Sequence, residues 1–354
     1  MSFTQWNPSE EQVRPGIYFN FEKAAEAQTL GGARGTVAIP LTKFGASATA
    51  KEIYTVKNEV EAATKFGKSN IQAIKLAFEG GAKDVLVYAM PTIDGSLITE
   101  DAAYGEAREA LEAYQFNVFV FDGEVSATEQ ASTKTWLSRN RNEKKHFTFV
   151  AGGSAADDKD PSVGDARSAT LKDDYIVNVI SGAVVGADEL TSSQYAAYVA
   201  GLVAGTPINK SITYSTVNAD DVSKRLRNVE VETALKAGSL VLIHDGEKVK
   251  VEQGIVTSGE KLRKVRARQA IATDIEKMVR DNYIGKVDNN AAGQATLVSA
   301  IKLYLETLAN ENVLEKPAVA INGSRPSVGD KVYVDIAYTE LDSMERIFTT
   351  INAD

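Results

Sequence analysis

The first part of the chain alternates between short apolar runs and longer amphipathic stretches. The apolar runs predict β-strands, and they lie at 33–41, 52–56, 84–90, 116–122 and 146–153. Stretches between them carry apolar residues at helical spacing, at 59–67, 70–81, 103–114 and 129–141. Strands separated by helices of about 10–15 residues predict an α/β domain with a mainly parallel sheet and flanking helices.

Capping residues support this pattern, which continues to residue 256. Asn58 is a suitable N-cap for the helix 59–67, and Gly80-Gly81 suits the left-handed C-cap after the next helix. Further on, the sequence predicts a polar loop at 154–173, a strand at 175–181 and a helix at 192–205. A hairpin is predicted at 239–256, with Asp245-Gly246 as its turn.

A second, α+β unit is predicted from residue 257 to residue 340. Thr257 and Glu260 have the spacing of a capping box ahead of a long amphipathic helix that ends at Gly285. One more helix and two strands follow, at 295–313, 318–323 and 330–339.

Both ends of the chain carry strand-like segments outside these units. Residues 16–22, "GIYFNFE", predict a strand in an N-terminal arm, and residues 343–352, "SMERIFTTIN", predict one at the C-terminus. A terminus is normally polar and frayed unless something holds it, so the last strand requires a partner. We therefore divide the chain into an N-terminal arm (1–30), an α/β domain (31–256), an α+β domain (257–340) and a C-terminal arm (341–354).

Composition narrows the class of protein. The 354 residues are 44% hydrophobic and 25% charged, as in ordinary soluble domains. There is no Cys for a disulfide or a thiolate metal site, and the net charge of −9 argues against nonspecific nucleic-acid binding. The N-terminus lacks the pattern of a secretion signal, and the longest apolar run, 195–205, is too short to cross a bilayer. We expect a soluble protein without membrane insertion.

Candidate catalytic or ligand-binding residues are few. His146 and His244 have no nearby Cys and no second His at helical spacing, so a zinc site is unsupported. The loop 151–162 follows a strand, where α/β sheets often bind ligands. Ser154 could contact a phosphate there, and three aspartates could hold a cation, namely Asp157, Asp158 and Asp160. The spacing matches neither a nucleotide-binding nor a calcium-binding motif, which favours a solvated connector.

Two other stretches carry alternative interpretations. "GGARG" at 31–35 precedes a strand rather than following one, so we interpret it as a hinge between the arm and the domain. The run 261–268 is basic in an acidic chain. It is either a solvated helix face paired with nearby acids or a contact with an acidic partner, and the candidate residues for that contact are Lys261, Lys264 and Arg268.

Five stretches in order resemble contractile phage tail sheath proteins, in particular the short sheaths of Gram-positive phages, prophages and phage-tail-like bacteriocins. They are "RPGIYFNFE" (14–22), "GTVAIPLTKFG" (35–45), the region from "TVKNEVEAATKFG" to "AIKLAFEGGAKDVLVYAM" (55–90), "AGLVAGTPINKSITYSTV" (200–217) and "DNYIGKVDNNAAGQATLVSAIKLYLETL" (281–308). The resemblance covers nearly the whole chain, but the large peripheral insertions of bigger sheaths are missing.

The resemblance implies a structural protein rather than an enzyme, without a cofactor or a metal site. In that family, subunits stack helically around an inner tube, the C-terminal domain faces the tube, and contraction drives the tube through a cell envelope. The implied partners are further copies of the chain, the tail tube protein, the baseplate and the tail terminator, with no nucleic acid. The implied location is a virion tail or phage-tail-like particle assembled in the host bacterial cytoplasm.

The resemblance also implies that both arms add strands to a sheet in neighbouring copies. The residues that it places in these strands are Ile17, Tyr18, Phe19 and Phe21 at one end, and Ile347, Phe348, Thr349 and Ile351 at the other. The alternative is a small-molecule-binding protein or enzyme on a doubly wound sheet, with its site at Ser154 or at Asp157–Asp160. The terminal strands and the missing catalytic set favour the sheath.

Overall fold

A computed structural model describes residues 34–352 of the chain, apart from residues 94 and 97. Its strands are β1 (Thr36–Leu41), β2 (Ile53–Val56), β3 (Asp84–Ala89), β4 (Val118–Val120), β5 (Thr148–Ala151), β6 (Ile176–Val179), β7 (Ala183–Val185), β8 (Asp188–Leu190), β9 (Asp221–Val222), β10 (Ser239–Leu240), β11 (Leu242–His244), β12 (Val249–Val251), β13 (Leu314–Ile321) and β14 (Val334–Glu340). Its helices are α1 (Glu59–Phe66), α2 (Gln72–Gly80), α3 (Glu100–Leu111), α4 (Ala127–Asn142), α5 (Pro161–Thr170), α6 (Ser192–Gly205), α7 (Asn228–Ala237), α8 (Leu262–Asn282) and α9 (Ala291–Asn310).

The main sheet has the order β10-β6-β5-β4-β1-β3-β2 among the described residues. Its neighbours run parallel except β2, which is antiparallel to β3 at the edge. The prediction of a mainly parallel sheet with flanking helices is confirmed. So are the caps: the Asn58 side chain accepts from the N–H of Glu61, and Gly81 ends α2 in the left-handed conformation.

Each face of this sheet is covered by helices. Because side chains alternate along a strand, Val37 and Ile39 of β1 pack on the face that α2 and α6 cover. Ala38 lies on the opposite face with residues of α3 and α4. Both faces are therefore buried, which explains why the strands are apolar at successive positions.

The sequence prediction was wrong in two places within this domain. The region 154–173 is not a continuous loop, because it contains α5, which Asp160 caps and Pro161 begins. Thr257 and Glu260 do not form a capping box, because the N-cap of α8 is Lys261. The buried Thr257 hydroxyl instead accepts a hydrogen bond from the N–H of Asp173 at 2.9 Å and donates to the carbonyl of Leu171 at 3.1 Å.

The C-terminal region packs α8, α9 and the β13–β14 hairpin around a core of its own. That core contains Ile271 and Met278 of α8, and Tyr304 and Leu305 of α9. The first turn of α8 belongs instead to the core of the α/β domain, through Leu262 and Val265. Helix α8 thus extends from one core into the other.

Candidate assembly site

The segment after β14 exposes large apolar side chains. Ile347, Phe348 and Ile351 are 78%, 93% and 84% exposed, and Thr349 beside them is exposed as well. No strand in the described part of the chain pairs with residues 343–352. Burying each large apolar side chain contributes about 1.5–3 kcal/mol, so this segment has much to gain from a partner surface.

The N-terminal candidates cannot be placed in the same way. Ile17, Tyr18, Phe19 and Phe21 lie outside the described residues, as do the first residues of the proposed hinge, 31–33. Their assignment to an arm stays a prediction.

The point where the described chain enters β1 is fixed to α8. Arg34 forms an ion pair with Asp274, whose carboxylate also accepts a hydrogen bond from the Tyr304 hydroxyl at 2.7 Å. The N–H groups of Gly35 and Thr36 donate to the Asn117 side chain at 2.8 and 3.1 Å. Asp274 is 5% exposed, so the carboxylate of this ion pair is buried where the described part of the chain begins.

The point where the chain leaves β14 is fixed to the first turns of the same helix. The Lys261 ammonium lies 3.0 Å from Asp342, and the Lys264 ammonium lies 3.6 Å from the same carboxylate. Arg268 pairs with Glu340 through both carboxylate oxygens and reaches Glu260 at 3.4 Å. The hydrogen bond and charge of Glu340 raise the pKa of Arg268 against the opposing effect of burial.

Glu345 occupies a polar socket next to these ion pairs. Its carboxylate accepts hydrogen bonds from Thr213 at 2.9 Å and Gln253 at 2.9 Å, and lies 3.1 Å from the Lys261 ammonium. Ser211 donates to it at 3.3 Å. Burial alone would raise the pKa of Glu345, but these hydrogen bonds and Lys261 outweigh burial and lower it.

Two arginines of the basic run are buried rather than presented to solvent. Arg263 donates to the Asn312 carbonyl at 3.0 Å and to the Ser343 hydroxyl at 3.1 Å. Arg266 donates to the Thr206 carbonyl, and its burial lowers its pKa to about 10. The run therefore has partners in its own chain: Lys261, Lys264 and Arg268 pair with acids, whereas Arg263 and Arg266 bond to carbonyl and hydroxyl oxygens.

Sequence analysis did not identify the partners of the basic run 261–268, because they lie far away in the chain. The signal was present, since Glu340 and Asp342 precede the strand predicted at 343–352, and Glu345 lies near its start. Whether Lys261, Lys264 and Arg268 also contact another molecule stays a prediction.

The β13–β14 hairpin offers two different edges. Along β13, the pairing with β14 is interrupted between Glu315 and Ala318, where Lys316 has φ 51° and Pro317 lacks an N–H. Along β14, residues 334–340 form a continuous strand that has β13 as its strand partner among the described residues. Bulges and prolines blunt a sheet edge, so the β14 edge is the more regular template.

The crevice beside the loop 151–162, a candidate for ligand binding in the sequence, is occupied by other residues of the same chain. The Gly153 N–H donates to the Ser192 hydroxyl at 2.7 Å, and a Cβ on Gly152 would lie 2.3 Å from the Ser192 carbonyl oxygen. Asp158 accepts from the N–H of Ser192 at 2.7 Å, and burial raises its pKa to about 6. The start of α6 thus occupies the crevice.

The remaining polar candidates in this region have structural partners. Asp157 pairs with Arg167 at 3.0 Å and accepts from the N–H of Ser154 at 3.2 Å. Asp160 accepts from the N–H of Ser162 at 3.0 Å, which caps α5. These contacts explain why a polar loop carries so many carboxylates without a ligand-binding motif.

Both histidines have structural partners within the described part of the chain. His146 is within 3.0 Å of the Tyr175 hydroxyl, with its pKa lowered by burial, and His244 accepts from the N–H of Gly246 in the β11–β12 turn. Among residues 34–352, where placed, no group of acidic or histidine side chains could hold a metal ion. None of the helices in that range is long and apolar enough to span a membrane.

Comparison with known proteins gives consecutive matches along most of the chain. The phage tail sheath protein central domain matches residues 99–257, and the phage tail sheath C-terminal domain matches residues 258–354. The tail sheath protein of Clostridium phage phiCD119 is 24% identical over 311 residues, which cover 84% of this chain and 81% of that protein.

Solved structures share the fold. The sheath tail protein of Desulfitobacterium hafniense superposes with a TM-score of 0.72 at 19% identity, covering 92% of this chain and 100% of that one. The helical sheath of the anti-feeding prophage in its contracted state gives a TM-score of 0.72 at 16% identity, covering 98% of this chain and 100% of that one. At these identities the likeness establishes the fold alone.

Proposed function

Because the chain belongs to the phage tail sheath family, we propose that it polymerises helically around an inner tube and contracts to drive that tube through a cell envelope. The protein is a structural component of a phage tail or phage-tail-like particle and not an enzyme. We further propose that it assembles in the bacterial cytoplasm and binds the tube, the baseplate and the tail terminator. Solved relatives include a contracted helical sheath and a baseplate assembly.

The exposed C-terminal segment is the observation that carries this proposal. In an extended strand, Ile347, Thr349 and Ile351 fall on one face and Phe348 on the other. A neighbouring copy that pairs with this strand would satisfy its backbone groups while pockets fix its register. When a contact between different surfaces of identical copies does not close into a ring, it propagates a helix.

The acceptor in our proposal is the β13–β14 hairpin of a neighbouring copy. Packing against α8 and α9 supports this two-stranded sheet within its own subunit, so its edge is ordered before a strand is added. The continuous edge of β14 suits this addition better than the interrupted edge of β13. The N-terminal strand at 16–22 has the matching role at the other end of the chain.

The C-terminal domain, 257–340, faces the tube in this proposal. Contraction is a rigid-body rearrangement of subunits between two packings, in which the arm connections persist. The extended packing is metastable and is released by the baseplate.

Deletion of residues 346–354 tests the proposal. We expect the full chain to form cylinders in negative-stain electron microscopy, and the truncated chain to stay monomeric with an unchanged melting temperature, because residues 346–352 are exposed. Deletion of residues 1–22 should act in the same way.

Point variants refine the test. Phe348→Asp and Ile351→Asp should block polymerisation because they place a charge on the apolar strand, whereas Asn352→Asp, which adds a charge at the same end, should not. Cylinders formed normally by the chain that lacks residues 346–354 would contradict the proposal.

A further inference from the structure

We propose that the C-terminal arm is divided into a root, residues 341–345, which stays bound to its own subunit, and a free strand from residue 346 onward that is exchanged between copies. Glu345 is the positioning residue that sets where the free strand begins. This inference rests on the proposed sheath function, and it changes the predicted boundary of the arm, which was at residue 341.

The socket around Glu345 is built from three separate parts of the chain. Ser211 and Thr213 come from the segment after α6, Gln253 from the segment after β12, and Lys261 from the start of α8. The Glu345 side chain is 7% exposed. A carboxylate at that depth is stable only with such partners, so the root is held by specific contacts rather than by chance proximity.

A second set of contacts holds the residues just before Glu345. Asp342 faces the ammonium groups of Lys261 and Lys264, and the Ser343 hydroxyl accepts from Arg263. Met344, between these anchors, is 91% exposed. Asp342, Ser343 and Glu345 therefore contact the rest of the subunit through their polar side chains, while Met344 points away from it.

The change from the docked root to the exposed strand occurs between residues 345 and 346. Every residue from Arg346 to Asn352 is exposed, immediately after the enclosed Glu345 side chain. The root carries two carboxylates against two ammonium groups, so its charge is balanced only while it is docked. Hydrogen bonds and Lys261 lower the pKa of both Glu345 and Asp342 against the effect of burial, which keeps both charged at neutral pH.

Fixing the chain at Glu345 restricts the directions in which the next residues can leave. A strand that starts from a fixed point searches a smaller volume for its acceptor, which lowers the entropy lost on pairing. The root also remains attached while subunits rotate, so the movement is confined to residue 346 and those that follow.

Trypsin tests the root directly, because Arg346 is a cleavage site at the proposed boundary. Cleavage requires the residues on both sides to enter the protease, so a docked Glu345 protects the Arg346–Ile347 bond. We expect Glu345→Ala to release residues 347–354 from the monomer at least about tenfold faster, as measured by mass spectrometry, given the strength of hydrogen bonds to charged groups. Glu345→Gln should be intermediate because its amide oxygen still accepts hydrogen bonds, whereas its NH2 group cannot accept and the charge opposite Lys261 is lost.

Matched variants keep this test interpretable. Glu109→Ala removes an exposed glutamate from α3 and should leave the rate unchanged. Lys261→Met loosens the root from the opposite side and should also accelerate cleavage, which covers the case in which Glu345→Ala does not fold. Equal rates for the full chain, Lys261→Met and every folded Glu345 variant would overturn the proposal.

Truncations separate this inference from the proposed function. Deletion of residues 346–354 should leave the melting temperature unchanged, whereas deletion of residues 341–354 should lower it, because Lys261 and Lys264 lose their acidic partners. Equal melting temperatures would count against the root. Normal polymerisation of either truncated chain would instead count against the sheath proposal, since protection of Arg346 in the monomer does not depend on assembly.

Discussion

Asp122, just after β4, is a single residue that makes the stability of the fold depend on pH. Its carboxylate accepts hydrogen bonds from the N–H and hydroxyl of Thr42 at 2.9 and 2.7 Å. Burial nevertheless dominates and raises the pKa of Asp122 to about 6. The charged form is therefore disfavoured in the folded state, although the carboxylate has good partners.

We expect Asp122→Asn to flatten the pH dependence of stability. A raised pKa in the folded state means that stability is greatest below the ordinary aspartate pKa and falls as pH rises to about 6. The full difference amounts to at most about 3 kcal/mol. The Asn oxygen can still accept from Thr42, so urea denaturation at pH 4 and pH 7 should show a smaller difference in the variant, and an equal difference would refute the assignment.

Single residues also show what the sequence can and cannot predict. Asn58 and Gly81 were correctly assigned as helix caps because their signals are local. Thr257 was assigned wrongly because its hydroxyl bonds to residues 171–173, far away in the chain. The socket of Glu345 is out of reach for the same reason, since its parts meet only after folding.

At the scale of elements, α2 and α6 approach each other through glycines. A Cβ on Gly201 would lie 2.0 Å from the Ala77 carbonyl oxygen, and a Cβ on Gly80 would lie 2.1 Å from the Tyr198 carbonyl oxygen. Sequence predicted α6 as a core helix, which is confirmed. The close approach was not predicted, because it depends on which small residues of the two helices face each other.

Gly201→Ala should destabilise the subunit, since the added methyl group forces the two helices apart at an estimated cost of about 1–3 kcal/mol. Gly105→Ala is the matched control, because Gly105 lies within α3 and a Cβ there would meet nothing within 4 Å. This control should raise stability by about 0.5–1 kcal/mol through its better helix propensity. Thermal unfolding followed by circular dichroism distinguishes the two, and equal effects would contradict the packing argument.

Helix α5 shows why one element was missed. Its segment "PSVGDARSAT" is polar, and Gly164 and Ser168 are its buried positions in the structure. Apolar periodicity therefore gave no signal, although Asp160-Pro161 is a typical helix start. Capping chemistry was the better guide here.

At the scale of the whole molecule, the mainly parallel sheet with its flanking helices was predicted from the alternation of strands and helices. Their hydrophobic pattern is strong because both faces of the sheet are buried. The arms could not be checked in this way, because residues 1–33 lie outside the described part of the chain and residues 346–352 have no strand partner within it. Their pairing with neighbouring copies follows from the resemblance to sheath proteins and stays a prediction.

Charge reversal of Lys264 and Arg268 distinguishes internal pairing from an external contact. The variant Lys264→Glu/Arg268→Glu places new carboxylates near Asp342 and Glu340, so we expect the isolated subunit to lose at least about 1 kcal/mol, and less at high salt. Lys277→Glu, on an exposed position of the same helix, should have little effect. An unchanged melting temperature with weakened tube binding would show that the external contact dominates.

Helix α8 holds the entry of the chain at Asp274 and its exit at Lys261. At a rise of about 1.5 Å per residue, roughly 20 Å of helix separates these two anchors. A pulling force applied between Arg34 and Glu345 would therefore act on the ion pairs at both ends of this stretch of helix as well as on the backbone of β1. Helix α8 would thus share with the main sheet any mechanical load that neighbouring copies place on the subunit.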